Sequence, residues 1–275
     1  MKFICLTTVV SLSTIIFAGG IHVFAEEAEE TEKTGEVRQI TTDGQITFTP
    51  NNDAPNVELD PDGPEVEIPP VVGPDGENNG PLTIAYVPTM NFGSQIISSS
   101  DKHYNMVAER QQKAGTTGDT NKVPYVSFVQ VQDTRGTNEG WKLSVSLSEF
   151  EAKDTKNNVL KGAQIKLFDP QLRYSVNDAE QEPTIHANGL ELIPNNDAVP
   201  IMTAAAKKGG GTSTATWGNQ VALDKQVEAG VAVVENAAIQ LFVPGTTAKD
   251  AVTYRSTLTW KLEQTPDNEL PGIVF

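Results

Sequence analysis

The chain has 275 residues, 38% of them apolar and 20% charged, with a net charge of −16. That length allows one large all-β domain or two smaller ones, and about 200 residues of this composition still bury a core. No basic stripe is present, so nucleic acid is excluded as an expected partner.

In chain order, Lys2 and the apolar run Phe3–Ala18, followed by Val23 and Ala25 before Glu26, read as a secretory signal spanning 1–25 and cleaved after Ala25. The single cysteine, Cys5, leaves with it, so the exported protein is expected to be held by packing rather than disulfides. Residues 26–43 read as an acidic disordered tail. Between Glu26 and Pro81 there are 15 acidic and 2 basic residues, which puts −13 of the total charge there. Residues 44–81 read as a first strand plus an acidic, proline-rich linker. In it Ile46 and Phe48 alternate with Gln45, Thr47 and Thr49 between Gly44 and Pro50, and the rest is expected to be extended and exposed. Asp60-Pro61-Asp62-Gly63 begins like a calcium loop but lacks the later ligands, so it reads as a turn.

From 82 to 275 the composition changes to that of a β domain. Strands are expected at 82–87, 125–132, 141–147, 164–168, 191–193, 215–222, 229–234, 238–243 and 252–262, punctuated by Gly, Pro, Asn and Asp. Only 104–113 and 199–208 are candidates for short helices. The fold class is therefore all-β: a β-sandwich or barrel-like single domain with long loops and a disordered, acidic, Pro-rich N-terminal segment.

Two of the three tryptophans head the same tripeptide, Trp141-Lys142-Leu143 and Trp260-Lys261-Leu262. In the first strand Trp141, Leu143, Val145 and Leu147 share a face. In the second, Val252, Tyr254, Ser256, Leu258, Trp260 and Leu262 do. Each ribbon has one apolar and one wet face, which fixes its register. Two readings of Trp141 and Trp260 stay open: core packing with the indole N–H bonded to backbone, or stacking on glycan rings in a shallow groove. Lys142 and Lys261 fall on the opposite, solvated face. Trp217, beside Gly218 and Asn219 after Gly209-Gly210-Gly211, is a candidate sugar platform at a strand end. The glycine run itself reads as a flexible hairpin, since its lysines precede the glycines and cannot serve a phosphate loop.

These motifs resemble a family. Gly140-Trp141-Lys142-Leu143, the run Tyr254–Leu262, Asn91-Phe92-Gly93 after Tyr86-Val87-Pro88, and the opening GQITFTPN look like the small WxL proteins, secreted surface proteins of low-GC Gram-positive bacteria. The resemblance covers essentially the whole mature chain, with residues 265–275 continuing past the second motif. It implies a non-enzymatic, non-covalent cell-wall binder whose ligand is peptidoglycan. It also implies larger WxL proteins and a membrane-anchored WxL-interacting protein as partners, in surface complexes that are sometimes adhesive. The expected binding residues are Trp141, Leu143, Trp260, Leu262, Tyr254 and Trp217. An alternative is a structural or adhesive subunit whose ligand is a partner or host matrix protein.

Enzyme chemistry has little support. His103 and His186 lack metal-ligand spacing, and no His-Glu-x-x-His or Gly-x-Ser-x-Gly occurs, so no catalytic residue, metal or cofactor is expected. The C-terminal Leu270-Pro271-Gly272 is not a covalent wall-sorting motif, so any hold on a wall is expected to be non-covalent.

Overall fold

The structure is a computed structural model that describes residues 44–60, 62–72 and 78–264. The expected signal, the acidic tail 26–43, residues 73–77 of the expected linker and residues 265–275 lie outside the described residues. The chain divides between Ile46 and Thr47. Of the first unit only 44–46 are described, and they are exposed and without regular structure.

The second unit holds every described element. Its strands are β1 (Val66–Glu67), β2 (Leu82–Tyr86), β3 (Lys102–Val107), β4 (Glu109–Lys113), β5 (Lys122–Tyr125), β6 (Ser127–Asp133), β7 (Trp141–Leu147) and β8 (Gln164–Leu167). They continue with β9 (Pro170–Tyr174), β10 (Thr184–Ile185), β11 (Leu190–Leu192), β12 (Val199–Ala204) and β13 (Gly211–Trp217). Helix α1 (Gln220–Glu228) follows, then β14 (Glu235–Val243) and β15 (Leu258–Gln264). They form four antiparallel sheets, ordered β1-β4-β5, β2-β6-β13-β9, β11-β8-β14-β3 and β10-β12-β7-β15. The all-β class is as the alternation dictates.

The main core joins three of these sheets. Trp141, Leu143 and Val145 from β7 pack in one cluster with Val129 and Val131 from β6, Ile165 and Leu167 from β8, and Ile239 and Leu241 from β14. A second cluster gathers Val66, Ile68, Tyr86, Tyr125, Phe128 and Leu223, with Tyr86 stacked on Phe128 at 4.5 Å.

That second cluster corrects the linker reading. Residues 57–71 do not run free in solvent. The Glu58 N–H donates to Gln130 Oε1 at 2.8 Å, and Gln130 Nε2 donates back to the Glu58 carbonyl at 3.0 Å. The Asp60 N–H donates to the Tyr125 hydroxyl at 2.6 Å, and β1 pairs with β4. Val57, Leu59, Val66 and Ile68 supply apolar contacts between the prolines and acids, and each fully buried aliphatic contributes about 1.5–3 kcal/mol. The polar majority of the segment masks this spaced apolar minority. Asp60–Gly63 is a turn as expected, closed by the Gly63 N–H on the Asp60 carbonyl at 3.0 Å.

Other elements differ too. No strand forms at 45–49, where Ile46 and Phe48 are 75% and 85% exposed. The 104–113 stretch falls in strands β3 and β4, and 199–208 is strand β12 up to Ala204 followed by a turn, because β-sheet partners override weak periodicity. The expected 215–222 strand ends at Trp217. Gly218 turns at φ +88, Asn219 caps Ala222 N–H, and α1 begins. That helix was hard to see, since it buries only Gln220 and Leu223. Residues 229–234 form a loop with exposed Val231 and Val233. The last strand is regular only from Leu258, preceded by an isolated Glu151–Arg255 bridge.

Candidate functional site

The two Trp-Lys-Leu strands are neighbours. β15 pairs antiparallel with β7, placing Leu262 opposite Leu143, Trp260 opposite Val145 and Gln264 opposite Trp141. Directly opposed side chains lie on one face, so all four motif apolar groups share the side that faces the core. β7 is internal to its sheet and β15 is an edge. Trp141 and Leu143 are accordingly fully buried, whereas Trp260 and Leu262 are half-buried.

Trp141 is held from both sides. Its indole N–H donates to the Gly209 carbonyl at 2.9 Å. A Cβ on Gly209 would come within 2.4 Å of Ala204 Cβ and 2.6 Å of Trp141 Nε1. Gly209 also sits at φ +77. The glycine run is therefore a fitted lid over the indole rather than a free hairpin. Gly140, at φ +79, has a similar reason: a Cβ there would meet the Ala204 carbonyl at 2.5 Å.

Trp217 is not a sugar platform. It is fully buried, and its indole N–H donates to His186 Nε2 at 2.8 Å. The rings stack at 5.9 Å, and His186 Nδ1 bonds the Ala187 carbonyl at 2.8 Å. Accepting at Nε2 requires the neutral tautomer protonated on Nδ1. Burial lowers the His186 pKa below its ordinary value.

The main concavity lies elsewhere. An open groove of about 980 Å³ runs between segment 89–97 and segment 249–258, with Phe92, Ile96, Tyr254, Arg255 and Leu258 among its lining. Its walls mix polar and apolar surface about evenly. Of the six residues expected to bind, only Tyr254 borders it.

Both walls are tied down by motif residues. Asn91 Oδ1 accepts from the Gly93 N–H at 2.9 Å, and Gly93 turns at φ +67. Phe92 is anchored in the core, and the Asn91 carbonyl accepts from the Val107 N–H at 2.7 Å. This leaves Ile96 projecting, 91% exposed. On the other wall the Tyr254 hydroxyl donates to the Asn157 carbonyl at 2.6 Å and accepts from the Asp250 N–H at 3.0 Å. Asp250 accepts from the Thr155 hydroxyl and from the Asn157 N–H at 2.8 Å. These bonds hold its carboxyl down at about 2. Lys249 Nζ is spent on the carbonyls of Ser98, Pro244 and Thr247. Arg255 is exposed and makes no ion pair among the described residues.

A second titratable group sits behind the groove. Glu109 accepts from the Thr89 N–H at 2.8 Å and the Tyr86 hydroxyl at 3.2 Å, while its other oxygen has no partner. Burial pushes its pKa up to about 7, against the lowering effect of those bonds.

Residues 35–266 match the WxL domain, described as surface cell wall-binding. The chain belongs to the WxL family. No curated protein and no solved structure matches. The WxL match spans nearly the whole chain and places the protein at the cell surface, in a wall-binding family rather than an enzyme family. Among the described residues no group of acids, histidines or cysteines is arranged to hold a metal. No described helix is long and apolar enough to cross a membrane. In this WxL domain both motifs build one sheet, and the groove opens beside the run that leads into the second.

Proposed function

We propose that this WxL protein is secreted, binds peptidoglycan non-covalently through the groove between 89–97 and 249–258, and assembles there with other surface proteins. The observation that supports the reading is the groove itself. It is large enough for a glycan–peptide unit, and the Asn91-Phe92-Gly93 turn and the Tyr254–Leu258 run wall it. Rigid walls suit saccharides, since a preformed cleft loses little entropy on binding. Arg255, exposed and without an ion pair among the described residues, supplies a cation for a stem-peptide carboxylate. The tryptophans of the motif act indirectly, by fixing the sheet from which the second wall departs.

The test is binding of the purified chain to peptidoglycan stripped of teichoic acid. Arg255→Glu is expected to weaken binding about tenfold without changing Tm, while Asp119→Asn, in the β4–β5 connection and outside the groove lining, leaves it unchanged. Wild-type affinity in Arg255→Glu would remove the groove from the account.

A second reading, a subunit whose main ligand is another protein, is favoured by Ile96 and Ile97, which are 91% and 54% exposed on the groove rim. Aliphatic side chains suit a protein surface better than a hydrated sugar. Ile96→Asp separates the two readings. It would cost less peptidoglycan binding than Arg255→Glu if the groove holds glycan, and abolish binding to cells carrying co-secreted partners if the rim holds protein.

A further inference from the structure

We propose that copies of this chain associate by strand addition, with residues 45–49 of one copy pairing antiparallel along the outer edge of β15 in another. This goes beyond wall binding and does not depend on it. Among the described residues β15 has a strand partner on one side only, in β7. Its inward residues Leu258, Trp260 and Leu262 are half-buried, with no described strand flanking them on the other side. A seven-residue edge of this kind templates another strand. The same chain carries the complement. Gln45–Thr49 alternates like a strand yet joins no sheet, and its Ile46 and Phe48 are 75% and 85% exposed.

The two ribbons fit. With Thr47 opposite Lys261, Phe48 falls beside Trp260 and Ile46 beside Leu262, extending the apolar face. Thr49 then meets Thr259, and Gln45 meets Glu263, on the wet face. Residues 44–50 carry no charge. The charges of β15, Lys261 and Glu263, already satisfy each other at 2.7 Å. Pro50 has no N–H to continue a ladder, so the added strand ends where β15 begins. This donor and this acceptor lie on the same chain and match in length and face, which makes a second copy the matched partner. Reciprocal exchange closes a dimer, and one-way addition extends a chain.

The test uses the full-length chain with Cys5→Ala. Two single variants, Thr47→Cys and Lys261→Cys, are mixed, oxidised and run without reductant, alongside sedimentation of the unmodified chain. The expected result is a cross-linked species only in the mixture, and self-association that Phe48→Asp weakens about tenfold with Tm unchanged. The proposal is overturned by a monomer at every soluble concentration with no cross-link in the mixture. Self-association that Phe48→Asp leaves intact overturns it equally, as does a cross-link formed only within one chain carrying both cysteines.

Discussion

Gly209 shows how a single residue without a side chain holds a motif in place. It touches Trp141 from above and adopts a positive φ, so Gly209→Ala strains the backbone and displaces the indole together. The expected loss is about 2–4 kcal/mol, read by denaturant unfolding, with a red shift in tryptophan emission. Two half-buried titrating groups pull stability in opposite directions with pH. Glu109 has a native pKa near 7, above the unfolded value of 4.5, so the native state holds its proton more tightly. Its contribution is present at low pH and is lost as pH rises toward 7. His186 has a native pKa below the unfolded one, so its contribution is present above that unfolded value and falls as pH drops. Glu109→Gln is therefore expected to stabilise the protein at pH 8 by about 1–2 kcal/mol, since the group is partly solvated. It should also leave a profile that falls steadily on acidification. A wild-type profile identical to that of Glu109→Gln would contradict the burial argument.

At the scale of elements, alternation was readable and attachment was not. Trp141–Leu147 coincides with β7 because its apolar face is continuous and its strand is internal. The Trp260 strand was read too long upstream, since Tyr254 faces the groove wall rather than a ladder partner. Trp217 was misjudged because its neighbours in sequence are small and polar, while its neighbours in space are His186 and the core. The groove was invisible in the sequence, as it joins two walls about 160 positions apart through loops with no periodicity. Proline and acid dominate segment 57–71 and give it the composition of a linker, yet Gln130 grips its backbone with both ends of one amide. Gln130→Leu leaves the Glu58 N–H and carbonyl without partners, at about 1–3 kcal/mol each. The measurable outcome is cleavage after Glu58 by a glutamate-specific protease, about ten times faster than in wild type, with the main core intact. Unchanged cleavage would show that the apolar contacts alone hold the segment.

For the whole molecule, charge and shape act against each other. A chain at −16 is repelled by anionic wall polymers, and salt screens that repulsion within about 8–10 Å. Binding to intact walls is therefore expected to strengthen between low and physiological salt, measured by pull-down. Weakening with salt would point to an ionic anchor instead. In the proposed function, wall recognition lies in the groove, and the paired motifs set the sheet that shapes it. The most direct check is the peptidoglycan-binding isotherm of Trp260→Phe, taken well below its Tm. It should lie within about twofold of wild type while Tm falls, as a buried-face substitution predicts. A folded Trp260→Phe that loses about tenfold or more in affinity with Tm unchanged would instead put the indole itself on the ligand.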